Sequence, residues 1–343
     1  MEHKNAQTKT SQQEEIPRYV RQRRNAGTPE EPSNDGPGRN KTLTCYSPLK
    51  GFEDKENGGI IFKRSSQAGA AMEVSCGQCI GCRIDKSKEW AARIVHESRM
   101  HQDNCFITLT YDAENLPYDG GLHKQHFQKF IKKLRKQHEP KKLKYFHCGE
   151  YGEELSRPHY HACLFGIDFT DREAWSSSNN VTTFISETLQ RIWGKGFTTC
   201  GNLEYESAAY CSRYILKKIT GARGMEHYQK IDAMTGEIYQ IQPEYITMSL
   251  GRTKGNGIGG TFYEKYKTDF FPRDECPIPG KGVYKKIPRY YEEIYAKQAP
   301  EEYEAIKKRR EIYRKEHEAE YSAERLITKY KVKKAQLAHL PRN

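Results

Sequence analysis

Three short stretches of the chain carry the residue pattern of β-strands. Residues 105–112 read CFITLTYD, a run of β-branched and aromatic residues that ends in residues typical of a turn. Residues 143–150 and 159–166 have the same character, and the short polar loop YGEELSR joins them. The pattern therefore predicts three strands, the last two of which are connected by a tight loop.

Helical patterns surround these strands. In residues 84–101 and 123–138, apolar side chains recur three and four positions apart, which places them on one side of a helix. Two further helical patterns cover about 182–194 and 205–219. The order strand, helix, strand, strand, helix predicts an α+β domain with helices on a mainly antiparallel sheet.

The ends of the chain differ in composition from this middle part. The first residues are rich in Gln, Glu, Asn, Gly, Pro and Arg, with almost nothing to bury, so we expect a disordered arm. The expected parts are the arm (1–40), a cysteine-bearing segment (41–83), the endonuclease-like core (84–220), an irregular Gly- and Pro-containing region (221–283) and a charged helical C-terminal tail (284–343).

The charge balance points to a polyanionic partner. The chain has 57 Lys and Arg against 45 Asp and Glu, a formal net charge of +12. Nucleic acid is the usual partner of such a chain, and an anionic membrane surface is the less common one. No run of apolar residues is long enough for a membrane span, and the N-terminus lacks the apolar core of a secretory signal. We expect a cytosolic protein that handles nucleic acid and has no membrane partner.

Two histidines stand one residue apart in the stretch RPHYH. Side chains alternate along a strand, so His159 and His161 project from the same face. Two imidazole nitrogens at this spacing can bind one metal ion, although an isolated pair is more often an ordinary polar feature of a half-exposed strand. The neighbouring residues must decide between these interpretations.

A carboxylate near the two histidines favours the metal site. Glu150 ends the preceding predicted strand, and the short loop would bring it back beside His159 and His161. Two imidazoles and one carboxylate suit Mg²⁺ or Mn²⁺, with coordination positions left open for phosphate oxygens. Glu153, Glu154 and His147 are alternative third ligands, but the first two lie inside the loop. His147 has the wrong parity to share a strand face with Glu150.

A tyrosine pair lies further along the chain. Tyr210 and Tyr214 are four residues apart, so they are neighbours on one side of a helix, with Lys217 close to that side. A tyrosine hydroxyl can attack a phosphodiester and form a covalent phosphotyrosine, especially where a metal ion and an ammonium group assist it. The same spacing also occurs in simple helix packing, and only the ordered combination of Glu, His-x-His, tyrosine pair and Lys favours catalysis.

The stretches FITLTYD, CGEYGEELSRPHYH and YCSRYILKK resemble, in this order, the three motifs of HUH-superfamily replication initiators. The resemblance is closest to rolling-circle initiators of Microviridae, single-stranded DNA bacteriophages, in particular the gokushovirus type. The stretch SCGQCIGCR, followed by a Trp-bearing helix, is also similar to that group. The resemblance covers about residues 74–220.

The resemblance implies a fold and an activity. The fold would be a central antiparallel sheet flanked by helices, with the histidines on a central strand. The protein would nick one strand of viral origin DNA through a 5′-phosphotyrosine and later rejoin it, with Mg²⁺ or Mn²⁺ held by His159, His161 and Glu150. Tyr210 and Tyr214 would alternate as nucleophiles, and Lys217 would be the charged neighbour. Host polymerase and helicase would be partners, in the cytoplasm of a host bacterium.

A second cluster of metal-binding residue types precedes the core. Cys76, Cys79 and Cys82 follow the spacing C-x-x-C-x-x-C, and Cys45 is the nearest upstream thiol. Three close thiolates favour Zn²⁺, with an iron–sulfur cluster or plain reduced thiols as the alternatives. The remaining cysteines in predicted strands and helices have the character of small apolar residues.

One helix carries a dense basic face, which we expect to bind DNA phosphates. These side chains are Lys124, Lys132, Lys133, Arg135 and Lys136. The aromatic residues Tyr111, Tyr151 and Tyr160 near the motifs are candidates for stacking on unpaired bases. Two other function classes remain at this point: a non-enzymatic basic DNA-binding protein with structural zinc, and a metal-dependent phosphodiesterase that activates water and uses no tyrosine.

Overall fold

The computed structural model describes residues 45–152, 155–178, 181–219, 221–232, 234–250, 257–284 and 286–338. The predicted disordered arm therefore lies outside the described residues. Among the helices within these ranges, none is long and apolar enough to cross a bilayer.

The described chain alternates between short strands and helices. The strands are β1 (Leu49–Asp54), β2 (Ile60–Ile61), β3 (Ala68–Val74), β4 (Asn104–Thr110), β5 (Lys144–Tyr151), β6 (Pro158–Phe165), β7 (Arg172–Ser178), β8 (Val181–Ser186), β9 (Thr198–Gly201), β10 (Gln229–Ile231), β11 (Ile238–Gln240), β12 (Tyr245–Met248), β13 (Cys276–Ile278) and β14 (Gly282–Tyr284). The helices are α1 (Ile80–Ser98), α2 (Lys124–Gln137), α3 (Glu187–Trp193), α4 (Tyr205–Lys217), α5 (Ala222–His227), α6 (Gly260–Phe270), α7 (Arg289–Gln298), α8 (Pro300–Glu316) and α9 (Ala323–Ala338), with a short 3-10 helix at Glu318–Tyr321.

A seven-stranded antiparallel sheet forms the centre of the fold. Its strand order is β12-β5-β6-β4-β9-β8-β7. Strand β6 lies between β5 and β4 and pairs with both along its length. The predicted α+β class, an antiparallel sheet flanked by helices with a helical C-terminal region, is confirmed.

The two faces of the sheet cover two separate hydrophobic cores. We call the face that carries His159 and His161 the front face, and the face that carries Tyr160 the back face. On the front face, Phe146, Cys148, Cys163 and Phe165 pack beneath α1, α4, α6 and α7. On the back face, alternating residues of β4 and β6 pack against α2 and α3: Ile107, Leu109, Tyr160, Ala162 and Leu164. Strand alternation thus assigns each motif residue to a face.

The C-terminal region is part of the front core. Phe262, Phe270 and Tyr291 pack in the same cluster as α1. Glu97 is buried and accepts hydrogen bonds from Lys144 Nζ at 2.8 Å and from the backbone N–H of Gly259 at 2.7 Å. These contacts tie α6 and β5 to α1, so the helices after residue 257 brace the sheet.

Two segments differ from the sequence prediction. The helix predicted at 182–194 is a strand, β8, followed by the short helix α3, whose first turn is capped by Ser186 Oγ accepting from the backbone N–H of Leu189. The region predicted as irregular (221–283) supplies β12, which pairs with β5 about a hundred residues earlier in the chain. Both differences come from pairing between distant strands, which local residue patterns do not report.

Candidate metal and nucleophile site

The register between β5 and β6 brings a carboxylate to the two histidines. Glu150 lies directly opposite His159, and Cys148 lies opposite His161. Glu150 Oε1 lies 2.7 Å from His159 Nε2 and 2.9 Å from His161 Nε2. Glu150 and His161 are buried, while His159 is partly exposed at the rim. The three predicted ligands therefore converge on one point of the front face.

The other ring nitrogen of each histidine also has a partner. His161 Nδ1 lies 2.9 Å from Thr108 Oγ1 on β4, and His159 Nδ1 lies 3.1 Å from the carbonyl oxygen of Arg157. These contacts fix the orientation of both rings, so that both Nε2 atoms point toward Glu150. The carbonyl oxygen can only accept, so Nδ1 of His159 carries a proton.

The electrostatics of the centre favour an ionised carboxylate. Burial by itself would raise the pKa of Glu150, but the hydrogen bonds from His159 and His161 outweigh burial and lower its pKa to about 2. Burial lowers the pKa of His161 below its ordinary value of 6.5, against the opposing effect of Glu150. A neutral imidazole and a charged carboxylate are the forms that bind cations.

The donor set fits a small divalent cation. Two ligand atoms that bind one Mg²⁺ or Mn²⁺ at right angles lie roughly 3 Å apart, given metal–oxygen distances of about 2.1 Å. The observed separations of 2.7 and 2.9 Å from Glu150 Oε1 match this spacing. One oxygen and two nitrogen donors suit Mn²⁺ better than Mg²⁺, which prefers oxygen.

The alternative third ligands are not at this point. His147 lies on the back face, where its ring stacks on Phe127 at 3.4 Å between centroids and its Nδ1 lies 2.9 Å from Thr247 Oγ1. Its position on the opposite face agrees with the parity of the strand. Glu153 and Glu154 lie outside the described residues.

Helix α4 brings the predicted nucleophile to the centre. The Tyr210 ring lies 5.1 Å from the His161 ring and perpendicular to it, and both rings contact Phe106 of β4. Tyr210 is partly exposed. The backbone of Tyr214 and Lys217 belongs to the same helix, but the side chains of 214–217 lie outside what the structure describes.

Several contacts fix α4 against α1 and the sheet. Ser87 Oγ and Ser212 Oγ lie 3.1 Å apart in the buried interface between the two helices. Arg83 Nη2 donates to the carbonyl oxygen of Lys218 at 2.9 Å, just past the end of α4. At the other end, Glu204 and Ser207 form a capping box. Helix α1 therefore sets the height of the tyrosine helix above the histidines.

The basic helix lies on the other side of the sheet. Helix α2 packs on the back face through Phe127, Phe130, Ile131 and Leu134. Its outer side is strongly basic, with exposed side chains at Lys124, Lys129, Lys132, Lys133, Arg135 and Lys136. These predicted DNA-binding residues and the predicted metal ligands thus face away from each other.

Two of the tyrosines that we considered for base stacking are buried. Tyr160 is fully buried and Tyr111 is 5% exposed, and their hydroxyl groups lie 2.8 Å apart. Tyr160 also donates to the carbonyl oxygen of His123 at the start of α2. The stacking hypothesis is wrong for this pair, because both rings fill the back core. Tyr151 is partly exposed, and its stacking remains a prediction.

The four cysteines of the second cluster come together at the start of α1. The sulfur atoms of Cys45, Cys76, Cys79 and Cys82 all lie within 4.8 Å of one another. The cysteines expected to behave as apolar residues are buried: Cys105, Cys148, Cys163, Cys200 and Cys211.

The sequence did not identify Thr108 as a partner of the site, although it lies in the motif FITLTYD. Its role depends on the pairing of β4 with β6, which places Thr108 directly opposite His161. A cleft beside Tyr210 was likewise not predicted. Its hydroxyl- and amide-bearing lining residues include Thr108, Ser176, Thr183, Thr199, Asn202 and Ser207.

Comparison with known proteins agrees with this geometry. A family model described as replication-associated protein ORF2 matches residues 104–219, the segment that holds the centre and α4. Over 293 residues the chain is 32% identical to replication-associated protein ORF2 of Spiroplasma virus 4, covering 78% of this chain and 86% of the relative. It is 31% identical over 272 residues to replication-associated protein VP4 of Bdellovibrio phage phiMH2K, covering 76% and 80%.

A third relative is more distant. Replication-associated protein ORF4 of Chlamydia phage 1 is 24% identical over 254 residues, covering 70% of this chain and 59% of the relative. No solved structure gives a significant match.

Proposed function

Because the chain belongs to the family of phage replication-associated proteins, we propose that it is a replication initiator endonuclease of a single-stranded DNA phage. It nicks one strand at the viral origin, stays attached through a 5′-phosphotyrosine and later rejoins the strand, which drives rolling-circle replication. The observation that carries this proposal is the convergence of Glu150, His159 and His161 beside the ring of Tyr210.

The metal in this proposal is Mg²⁺ or Mn²⁺. Glu150, His159 and His161 would hold it, and the bound cation would withdraw charge from the phosphate oxygens. Thr108 and the Arg157 carbonyl keep the two rings turned toward it. The partly exposed rim at His159 leaves room for a phosphate to approach.

The nucleophile in this proposal is a tyrosine of α4. When the phenol oxygen of Tyr210 attacks phosphorus, a new P–O bond forms and the P–O3′ bond breaks. The leaving 3′ oxygen takes up a proton and becomes a 3′-OH, while the phenol gives up its own proton. Tyr214 is proposed to perform the second cleavage, and Lys217 to offset phosphate charge. The later attack of a 3′-OH on the phosphotyrosine exchanges one ester for another, so rejoining needs no nucleotide cofactor.

The DNA contacts in this proposal occupy two regions. The hydroxyl-lined cleft beside Tyr210 is the proposed entrance for the single strand, because its side chains can donate to phosphates and bases. The basic face of α2, with Lys124, Lys132, Lys133, Arg135 and Lys136, is proposed to bind DNA away from the cut. The released 3′-OH would serve as primer for host polymerase, with host helicase as a further partner, in the cytoplasm of the host bacterium.

The decisive experiment looks for the covalent intermediate. The full chain is incubated with Mn²⁺ and labelled single-stranded fragments that tile the phage genome, and the products are separated in SDS. We expect one fragment to give an SDS-resistant adduct that disappears in the double variant Tyr210→Phe, Tyr214→Phe.

A matched control lies on the same helix. Tyr205 begins α4 and contacts Tyr284 rather than the histidines. Tyr205→Phe should keep the adduct. Cleavage without any adduct would instead favour a phosphodiesterase that activates water. Binding without cleavage would favour a DNA-binding protein that is not an enzyme.

A further inference from the structure

Four thiols from two separate parts of the chain meet at the N-terminus of α1. Cys45 precedes β1, while Cys76, Cys79 and Cys82 follow β3 and lead into the helix. Cys45 is buried, and the other three are partly exposed. About thirty residues, including the small sheet β2-β1-β3, separate Cys45 from the other three. The folding of this sheet therefore brings the fourth thiol to the other three.

The distances between the sulfur atoms match a tetrahedral ion site. Thiolates that bind one Zn²⁺ at about 2.3 Å in tetrahedral geometry lie about 3.8 Å apart. Here Cys45 Sγ lies 3.9 Å from Cys79 Sγ, and Cys76 Sγ lies 4.0 Å from Cys82 Sγ. A disulfide requires sulfur atoms about 2.05 Å apart, so these pairs are not bonded. In a cubane iron–sulfur cluster each thiolate binds a different iron atom, which separates the sulfurs further.

Backbone N–H groups already point at the sulfurs. The N–H of Cys79 donates to Cys76 Sγ at 3.2 Å, that of Cys76 to Cys45 Sγ at 3.2 Å, and that of Tyr46 to Cys79 Sγ at 3.3 Å. Such bonds stabilise negative charge on sulfur, which metal binding requires. Gly77, between the first two cysteines of the motif, has a φ of +71° that permits this tight turn.

We propose that Cys45, Cys76, Cys79 and Cys82 hold one structural Zn²⁺ as a closed tetrathiolate site. All four positions are filled by protein sulfur, so this ion has no open position for substrate and takes no part in cutting DNA. Its role is to join the small N-terminal sheet to the first turn of α1. This inference does not depend on the nicking activity proposed above.

The site also has a mechanical connection to the tyrosine helix. Arg83, next to Cys82, donates to the carbonyl oxygen of Lys218, and Ser87 lies one turn further along α1 against Ser212. On the other side, Tyr46 contacts Tyr330 of α9 and Glu73 pairs with Arg314 of α8. The zinc site thus lies where the N-terminal sheet, α1 and the C-terminal helices meet.

The test measures metal content rather than DNA cleavage. The full chain is purified under reducing conditions, dialysed and analysed for zinc. We expect one tightly held Zn²⁺ per chain, and in cobalt-substituted protein the intense thiolate-to-cobalt charge-transfer bands of a sulfur-rich tetrahedral site. Cys45→Ala and Cys79→Ala should each lose the zinc and the charge-transfer bands.

Two controls separate this site from the rest of the chain. Cys276→Ala removes a buried thiol elsewhere in the front core, and His161→Ala disrupts the other centre. Both should retain the zinc. Because the Cys45 and Cys79 variants can fail to fold, zinc release from the wild-type chain by a mercurial thiol reagent gives a second measurement.

Three results would overturn the proposal. The first is wild-type protein that contains no zinc and takes up no cobalt with thiolate character. The second is zinc that is lost in His161→Ala but kept in Cys79→Ala. The third is a thiol titration of the unfolded, unreduced chain that finds fewer than the ten cysteine thiols, which would point to a disulfide.

Discussion

Thr108 Oγ1 lies 2.9 Å from Nδ1 of His161, on the side of the ring that faces away from Glu150. A hydroxyl group can donate or accept, so it satisfies Nδ1 in either tautomer of a neutral imidazole. When Nε2 donates to Glu150, Nδ1 accepts from Thr108. When Nε2 binds a cation, Nδ1 carries the proton and donates to Thr108. The contact therefore suits both states of the centre.

Replacing this hydroxyl should weaken cation binding. Thr108→Val keeps the shape of the side chain but leaves Nδ1 of buried His161 without a partner. We expect Mn²⁺ affinity, measured by titration calorimetry, to fall about 10- to 100-fold, the usual effect of removing the hydrogen-bond partner of a ligating histidine. Thr108→Ser retains the hydroxyl and should bind within a few-fold of wild type. Equal losses of affinity in both variants would contradict the role of the hydroxyl.

Removing one histidine should separate cutting from binding. His161→Ala takes away a ligand at the centre while leaving α2 on the opposite face intact. We expect strand cleavage to be abolished, while DNA affinity measured by fluorescence anisotropy at low salt is largely retained. Parallel loss of cleavage and affinity would instead indicate that His161 has a structural role.

The basic face of α2 should determine the salt dependence of binding. Each neutralised phosphate of duplex DNA contributes about 0.9 to the slope of log Kobs against log salt concentration. The double variant Lys132→Gln, Lys133→Gln should lower that slope by this amount for each phosphate that α2 no longer neutralises. The cleavage rate at saturating DNA should not change, because α2 does not touch the centre.

A pair of lysines on α8 provides the control for charge alone. Lys307→Gln, Lys308→Gln removes the same charge from an exposed helix elsewhere. Its salt slope should match wild type. If both double variants reduce the slope equally, the basic helix has no special role and overall charge drives binding.

His96 should make the fold sensitive to acid. Burial lowers its pKa to about 4, and its ring bridges the carbonyl oxygen of Pro277 at 2.7 Å and the hydroxyl of Tyr291 at 2.9 Å. The unfolded chain would titrate near 6.5. Between these values only the unfolded chain binds the proton, so acidification lowers the free energy of unfolding, by at most about 3 kcal/mol.

Urea unfolding at about pH 7 and about pH 5 tests this expectation. His96→Gln retains a donor for Pro277 but has no group that titrates in this range. Its free energy of unfolding should therefore fall less than that of wild type between the two pH values, although it starts lower. Identical changes in both proteins would show that other groups cause the acid sensitivity.

The sequence predicted the parts of the fold that depend on local patterns. Strands β4, β5 and β6 and helices α1, α2 and α4 lie close to the predicted ranges, because their alternation or helical spacing is regular. The third ligand could be ranked because strand parity excludes His147 from the face of Glu150. Thr108 could not be found, since its contact with His161 depends on the register between strands more than fifty residues apart.

Composition misled the prediction in two places. The stretch VTTFIS has the β-branched character of a strand, yet it adjoins a genuine helix and was merged with it. The Gly- and Pro-rich region after residue 221 looked irregular, but it contains β12, whose position is fixed by pairing with β5. In both cases the stabilising partner is remote in sequence.

Both imidazoles donate to the same oxygen of Glu150, so the carboxylate occupies the space between them when no cation is bound. A cation that arrives replaces two hydrogen bonds and does not have to gather scattered ligands. The cost of ordering these side chains is met during folding, before any metal is encountered. The chain can therefore accumulate in its final shape in a cell poor in free Mn²⁺, and activity would then follow the supply of the ion rather than the rate of folding.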